Sequence, residues 1–235
     1  EANRVIAGRL ARWHFAPTEG SRQNLLKEGI ADRDIVVTGN TVIDALLMTA
    51  EKNVDIGVEL DASRRLVLVT SHRRENFGEP FRQICRALRT LARQNPGLQF
   101  LYPVHPNPNV KNLAHEYLGG LPNFVLCEPL DYAPFVAAMK RATLILTDSG
   151  GVQEEATIVK RPVLVVRNST ERPEILGTFA HLVAAGPQIG EVAGRLLGRL
   201  AEVHAELAAL PYPYGTDASD QVVAAINQLA SGSAG

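Results

Sequence analysis

Five short apolar runs, at 66–70, 100–104, 124–127, 143–147 and 162–166, constrain this chain more than any other feature. Their residues do not alternate apolar with polar, so neither face of such a strand is meant for water. Strands buried on both faces belong to parallel sheets covered by helices on each side. The intervening segments supply those helices. At 80–94, Phe81, Ile84, Cys85, Leu88 and Leu91 fall on one side of a helical period. Helices are likewise expected at 109–118, 132–140 and 152–159, a sixth strand at 181–184, and one long helix at 189–207. The fold class is α/β, a doubly wound parallel sheet.

Upstream, the same alternation occurs once on a smaller scale. Helices are expected at 4–13 and at 18–28, the second capped by Thr18, with a short apolar run at 14–17 between them. A β-branched strand follows at 35–38, a Gly39-Asn40 turn, and a helix at 41–52. Residues 53–65 are polar and aperiodic and read as a linker. Residues 211–215 break the chain before a last helix at 219–229, and 231–235 read as a frayed tail.

Ligands of open parallel sheets bind beyond the carboxyl ends of the strands, so those ends are where chemistry is to be sought. The first strand of the main sheet ends in Ser71-His72-Arg73-Arg74-Glu75-Asn76, the second in His105-Pro106-Asn107 and the third in Glu128-Pro129-Leu130-Asp131. The fourth ends in Asp148-Ser149-Gly150-Gly151 and the fifth in Arg167-Asn168-Ser169-Thr170-Glu171-Arg172. Five consecutive strands thus deliver polar clusters to one edge. The opposite loops, Gln94-Asn95-Pro96-Gly97 among them, are plain turn material.

The fourth cluster is the most specific. A strand, a Ser-Gly-Gly turn and a helix aim backbone N–H groups and the positive end of a helix dipole at one spot, which suits a phosphate. Glu155, one turn inside that helix, would repel phosphate but accept hydrogen bonds from sugar hydroxyls. A diphosphate beside a ribose satisfies both. Plainer readings exist. Ser149 or Asp148 caps the helix, and His72 caps the one after it. Arg73 and Arg74 are solvated, His105 is a core histidine, Arg172 pairs with Glu171 or Glu174, and Tyr132 and Phe135 are core.

With 24 basic and 25 acidic residues the net charge is −1. No global basic field invites nucleic acid or an anionic membrane surface, and neither partner is expected. Cys85 and Cys127 lie in apolar runs without metal or disulfide spacing, as in a reducing compartment, and the cytoplasm is the expected location. No His/Cys/Glu cluster has zinc spacing. Neither a metal nor a cofactor is expected.

Taken together, the motifs resemble the non-hydrolysing UDP-N-acetylglucosamine 2-epimerases. The carriers are Glu1-Ala2-Asn3-Arg4, Thr18-Glu19-Gly20-Ser21-Arg22-Gln23-Asn24-Leu25, Gly39-Asn40-Thr41-Val42-Ile43-Asp44-Ala45-Leu46, His72-Arg73-Arg74-Glu75-Asn76, Pro103-Val104-His105-Pro106-Asn107-Pro108, residues 147–156, and Thr170-Glu171-Arg172-Pro173-Glu174. The resemblance spans nearly the whole chain. It implies two Rossmann-like domains in the glycosyltransferase-B arrangement, with the nucleotide sugar in the cleft between them. It also implies diphosphate held by Ser149, Gly150 and Gly151, ribose by Glu155 and uracil beside Phe135. Arg73 and Arg172 would be substrate-binding, and His72 would assist departure of the diphosphate.

The implied reaction inverts C2 of UDP-N-acetylglucosamine by eliminating UDP and adding it back to 2-acetamidoglucal. Glu1, at the edge of a Glu-Glu-Ala-Asn-Arg motif, is the implied catalytic carboxylate. The expected domains are the end of a first domain at 1–52, the linker at 53–65, a UDP-binding domain at 66–210, and a C-terminal segment at 211–235 packing back on the first. Most of the first domain is expected to be missing, leaving the chain inactive by itself, whereas the full-length enzyme is expected to be a homodimer. Two other readings stay open: a UDP-sugar-dependent glycosyltransferase of the same architecture, and a non-catalytic nucleotide-sugar-binding module.

Overall fold

The computed structural model describes residues 2–232. They divide into two compact units, one taking the residues up to Met48 with those from Tyr212 onward, the other running over Thr49–Pro211.

In the first unit, α1 (Ala2–Leu10) buries none of its residues. Strands β1 (His14–Ala16) and β2 (Ile35–Val37) pair in parallel across α2 (Glu19–Lys27), with His14 opposite Ile35. The apolar run at 14–16 is too short for a period to declare it. It becomes a strand because Ile35, Val36 and Val37 offer it a partner. Thr18 is the N-cap of α2, its hydroxyl accepting from the Ser21 N–H at 3.1 Å. Helix α3 (Thr41–Ala50) buries Ile43 and Leu46.

The second unit carries β3 (Arg65–Thr70), α4 (Glu79–Gln94), β4 (Leu98–Pro103), α5 (Pro108–Leu118), β5 (Phe124–Cys127), α6 (Tyr132–Arg141), β6 (Ala142–Thr147), α7 (Gly150–Ile158), β7 (Val163–Val166), β8 (Ala180–Val183), α8 (Gln188–Gly198) and α9 (Leu200–Ala209). All six strands are parallel, in the order β5-β4-β3-β6-β7-β8. This is a Rossmann-like doubly wound sheet. The chain winds outward from β3 on one side, then restarts from β6 on the other, so the strand order reverses between β3 and β6. That reversal opens a crevice at the carboxyl ends of the two central strands. Val67, Leu68, Leu101, Leu144, Leu146 and Val165 are fully buried in the sheet, which is why the apolar runs are continuous. On α4, Phe81, Ile84, Cys85, Leu88 and Leu91 are all buried.

The single helix expected at 189–207 is two. The apolar period runs unbroken through Leu196, Leu197, Leu200, Val203 and Leu207, so the pattern gives no sign of a stop. The break falls at Arg199, whose backbone leaves the helical region at φ −115° and ψ 26°. Gly198 precedes it, and a glycine weakens a helix by about 1 kcal/mol relative to alanine. The Arg199 guanidinium then reaches forward to Glu202 at 2.8 Å, favouring the restart.

The last helix, α10 (Ala218–Gly232), belongs to the first unit. Asp44 of α3 accepts from the N–H groups of Ser219 at 2.6 Å and Ala218 at 3.3 Å, so a side chain remote in sequence takes up amides that open α10. Gly39 lies beneath the approach to this helix at φ +83°, and a Cβ there would sit 2.6 Å from the Tyr214 carbonyl oxygen. Gly39→Ala meets both a disfavoured backbone region and a clash with main chain. It is expected to cost about 1–3 kcal/mol, read as a lower thermal midpoint.

Candidate functional site

The crevice is built where β3 and β6 end side by side. Their last residues, Thr70 and Thr147, are in register, and their hydroxyls share a hydrogen bond of 2.7 Å. One residue on, Asp148 is fully buried. Its Oδ2 accepts from the Ser71 hydroxyl at 2.8 Å, the N–H groups of His72 and Arg73 at 3.0 Å, and the Asn76 side-chain amide at 2.9 Å. Neither cap assignment for this turn holds as a side-chain bond. Asp148 faces back to the loop after β3. Ser149 occupies the N-cap position of α7, but its side chain makes no capping bond. The first amides of α7 are thereby left to an outside acceptor.

Two cations stand over the same point. A Cβ on Gly150 would lie 3.7 Å from a guanidinium nitrogen of Arg73 and 3.7 Å from one of Arg172, whereas a Cβ on Gly151 would meet nothing within 4 Å. Gly151 is exposed. A helix N-terminus facing two guanidinium groups is a site for an anion of more than one charge.

Both arginines are held. The Arg172 guanidinium is ion-paired with the buried Glu154 carboxylate, through its Nε. The Arg172 main-chain N–H donates to the Thr170 hydroxyl at 3.1 Å. That hydroxyl donates to Gln153 at 2.7 Å, and the Gln153 amide donates to the Ser149 carbonyl at 3.1 Å. Arg73 lies 3.9 Å from both Glu75 and Glu171. Those two carboxylates are gripped by the buried Arg167, at 2.9 Å to Glu75 and by two bonds of 2.7 and 2.9 Å to Glu171. The Arg167 bonds hold the Glu171 carboxyl down at about 2. Loops after β3, β6 and β7 are thus knitted together by buried Asp148 and Arg167.

One turn into α7, Glu155 is buried. Burial pushes its carboxyl up to about 7, with the neighbouring Glu154 charge adding to the rise and a hydrogen bond from the Tyr132 hydroxyl opposing it. Burial and Glu155 in turn raise the Tyr132 phenol to about 12. A cleft of about 190 Å³ at the strand ends is lined by Thr70, His72, Pro103, His105, Phe135 and Val152, among others. The rings of His72 and His105 stack in it, 5.5 Å apart and 15° from parallel. His105 Nδ1 accepts from the Asn107 N–H at 3.1 Å, which leaves Nε2 to carry the proton of the neutral ring.

The residues singled out from sequence fall as follows. Arg73, Ser149, Gly150, Gly151 and Arg172 converge at the start of α7. His72 and Phe135 share the cleft, and Glu155 sits one turn in. Glu1 lies outside the described residues. Arg172 pairs with Glu154 rather than with a carboxylate of Glu171 or Glu174. His105 is exposed, not a core histidine. The sequence pattern does not mark Asp148, Glu154 or Arg167 for the parts they play here. The available signal was a carboxylate or guanidinium at a strand end where burial was otherwise expected.

The sequence pattern of a family described as UDP-N-acetylglucosamine 2-epimerase matches residues 1–227. A UDP-N-acetylglucosamine 2-epimerase of Salmonella typhimurium is 52% identical over 186 residues, which are 75% of this chain and 50% of that protein. Among solved structures, the Neisseria meningitidis UDP-GlcNAc 2-epimerase bound to UDP-GlcNAc superposes with a TM-score of 0.88 at 38% identity, covering 97% of this chain and 64% of the other. Staphylococcus aureus MnaA in complex with UDP gives 0.87 at 37%, covering 98% and 63%. The chain spans about half the length of the curated relatives it matches. Among the described residues no helix is long and apolar enough to cross a membrane.

Proposed function

The chain belongs to the UDP-N-acetylglucosamine 2-epimerase family, and from that premise we propose that its strand-end site binds the UDP moiety of UDP-N-acetylglucosamine for reversible conversion to UDP-N-acetylmannosamine. The convergence of Arg73 and Arg172 on Gly150 at the first amides of α7 carries this reading. Two fixed cations and a helix N-terminus match a diphosphate, and Glu155 stands where ribose hydroxyls would follow. Phe135, in the cleft with His72, lies where a uracil ring would be flanked.

The reaction needs a base to take the C2 proton while the C1–O bond to UDP breaks. The electron pair from C2–H becomes the C1–C2 double bond of 2-acetamidoglucal, and the leaving pair stays on UDP. Addition of UDP back to C1, with a proton delivered to the opposite face of C2, gives the epimer. Arg73, Arg172 and the α7 amides would stabilise charge on the departing diphosphate, and His72 would donate to it. The base at C2 is assigned to a carboxylate such as Glu1. We take the full-length protein to be a cytoplasmic homodimer, and a monomer mass in sedimentation would remove the dimer.

Incubation of the full-length protein with UDP-N-acetylglucosamine in deuterated water tests the reaction. Deuterium at C2 and appearance of the manno epimer are expected. Transfer of the sugar to an acceptor would point instead to a glycosyltransferase, and UDP binding without turnover to a sensing module.

The turn makes a sharper prediction. Because a Cβ at Gly151 meets nothing, Gly151→Val is expected to fold with an unchanged midpoint yet lose UDP affinity by about 100-fold, the size of one or two lost charge-assisted hydrogen bonds. Calorimetry with UDP and a thermal melt on one preparation check it. Retained affinity would take the diphosphate away from this turn.

A further inference from the structure

We propose that Asp148 is a positioning residue for catalysis, fixing His72 and Arg73 against the diphosphate turn through their main chain; the inference rests on the reading that this turn binds UDP.

Asp148 is fully buried, and the hydrogen bonds that hold its carboxylate come from dipoles. The His72 ring stands close to it, with Nδ1 3.9 Å from Oδ1. Taking a carboxylate out of water is expensive, and a neutral side chain would cap a turn at less cost. The charge accomplishes something a neutral residue would not. It gathers four donors from one loop, the Ser71 hydroxyl, two successive main-chain amides and the Asn76 side chain. Those amides belong to His72 and Arg73, whose side chains go to the cleft and to Gly150. Asp148 is itself joined covalently to Ser149 and Gly150. One residue therefore links the leaving-group loop to the anion turn across 77 positions of sequence. The His105 ring, stacked on His72, limits the imidazole further. A misplacement of about an ångström in such a group costs about 100-fold in rate.

Asp148→Asn in the full-length enzyme decides the matter. An amide oxygen can replace Oδ2 but brings no charge and turns an N–H toward the His72 amide. Expected is a kcat loss of about 10–100-fold, larger than the loss of UDP affinity that displacement of Arg73 brings. A purely structural aspartate would lower the thermal midpoint and leave kcat of the folded fraction intact. That result, or equal losses in kcat and UDP affinity, would overturn the proposal.

Should Asp148→Asn not fold, Ser71→Ala removes a single donor. A loss of about fivefold in kcat at unchanged midpoint supports positioning, and an unchanged kcat overturns it. A readout that does not need turnover separates this inference from the reading beneath it. UDP is expected to shift the His72 ring resonances in the wild type and to shift them less in Asp148→Asn. No shift in the wild type would sink the UDP reading. An identical shift in both would sink the role of Asp148 alone.

Discussion

Replacing His72 by asparagine in the full-length enzyme is expected to lower kcat by about 10²–10⁴, the range for a positioned acid or base, while UDP affinity and thermal midpoint change little. The ring is partly exposed at the end of β3, where the fold places ligands, and its stack on His105 fixes its plane. Its contribution to packing is accordingly small. Protonated, it would offset the charge that grows on the diphosphate as the C1–O bond breaks. An interaction stronger in the transition state than in the ground state appears in kcat rather than in binding. If His72 served only to hold its loop, the variant would melt earlier and, once folded, turn over nearly as fast. In the structure the loop is held instead by its own amides on Asp148. Midpoint and kcat measured on the same preparation separate the two.

Glu155→Gln is expected to stabilise the ligand-free protein at alkaline pH while weakening UDP binding. The carboxyl is raised from 4.5 in the unfolded chain to about 7 in the fold, chiefly by burial. Below pH 4.5 it is neutral in both states and costs nothing. As pH rises from 4.5 to 7 the unfolded chain ionises first, so stability is lost across that window, and the whole cost is present above pH 7. A shift of this size corresponds to about 3 kcal/mol. Glutamine removes that cost, so the midpoint should rise relative to wild type at pH 8 and match it near pH 4.

UDP binding should move the other way. A carboxylate accepting from ribose hydroxyls gives charge-assisted bonds of about 1.5–3 kcal/mol, a loss of about 10–100-fold in affinity for the variant at pH 8. The deficit should narrow as pH falls below 7 and the wild-type carboxyl protonates. Comparing the two proteins at each pH cancels the titration of UDP itself. Equal affinities at pH 8 would remove Glu155 from the ribose.

Much of this was legible in the chain. Continuous apolar runs separated by helical periods specified a parallel α/β sheet, and the rule that ligands lie beyond strand ends located the polar clusters. Ser149, Gly150, Gly151 and Glu155 stood out because a strand, a glycine turn and a helix are adjacent in sequence, and their joint geometry is nearly determined by that adjacency. Where the local pattern carried no contrast, the reading failed. The period through 189–207 hid the break at Arg199, and β1 was too short to show one.

The tertiary structure alone decided which charges meet. Asp148 and the loop after β3 are 77 positions apart, and Arg167 reaches Glu75 across 92. Periodicity records what neighbours along the chain do to each other. Nothing in it ranks Glu154 above Glu171 or Glu174 as the partner of Arg172. That choice follows from strand order: β7 beside β6 sets the loop carrying Arg172 against α7, just as β6 beside β3, with Thr70 opposite Thr147, brings Asp148 under the amides of His72 and Arg73. The layers, and the polar edge at the ends of the strands, follow from patterns along the chain. The packing of the sheet determined which side chains face one another there, because charge pairing depends on distance in space and falls away over a few ångströms.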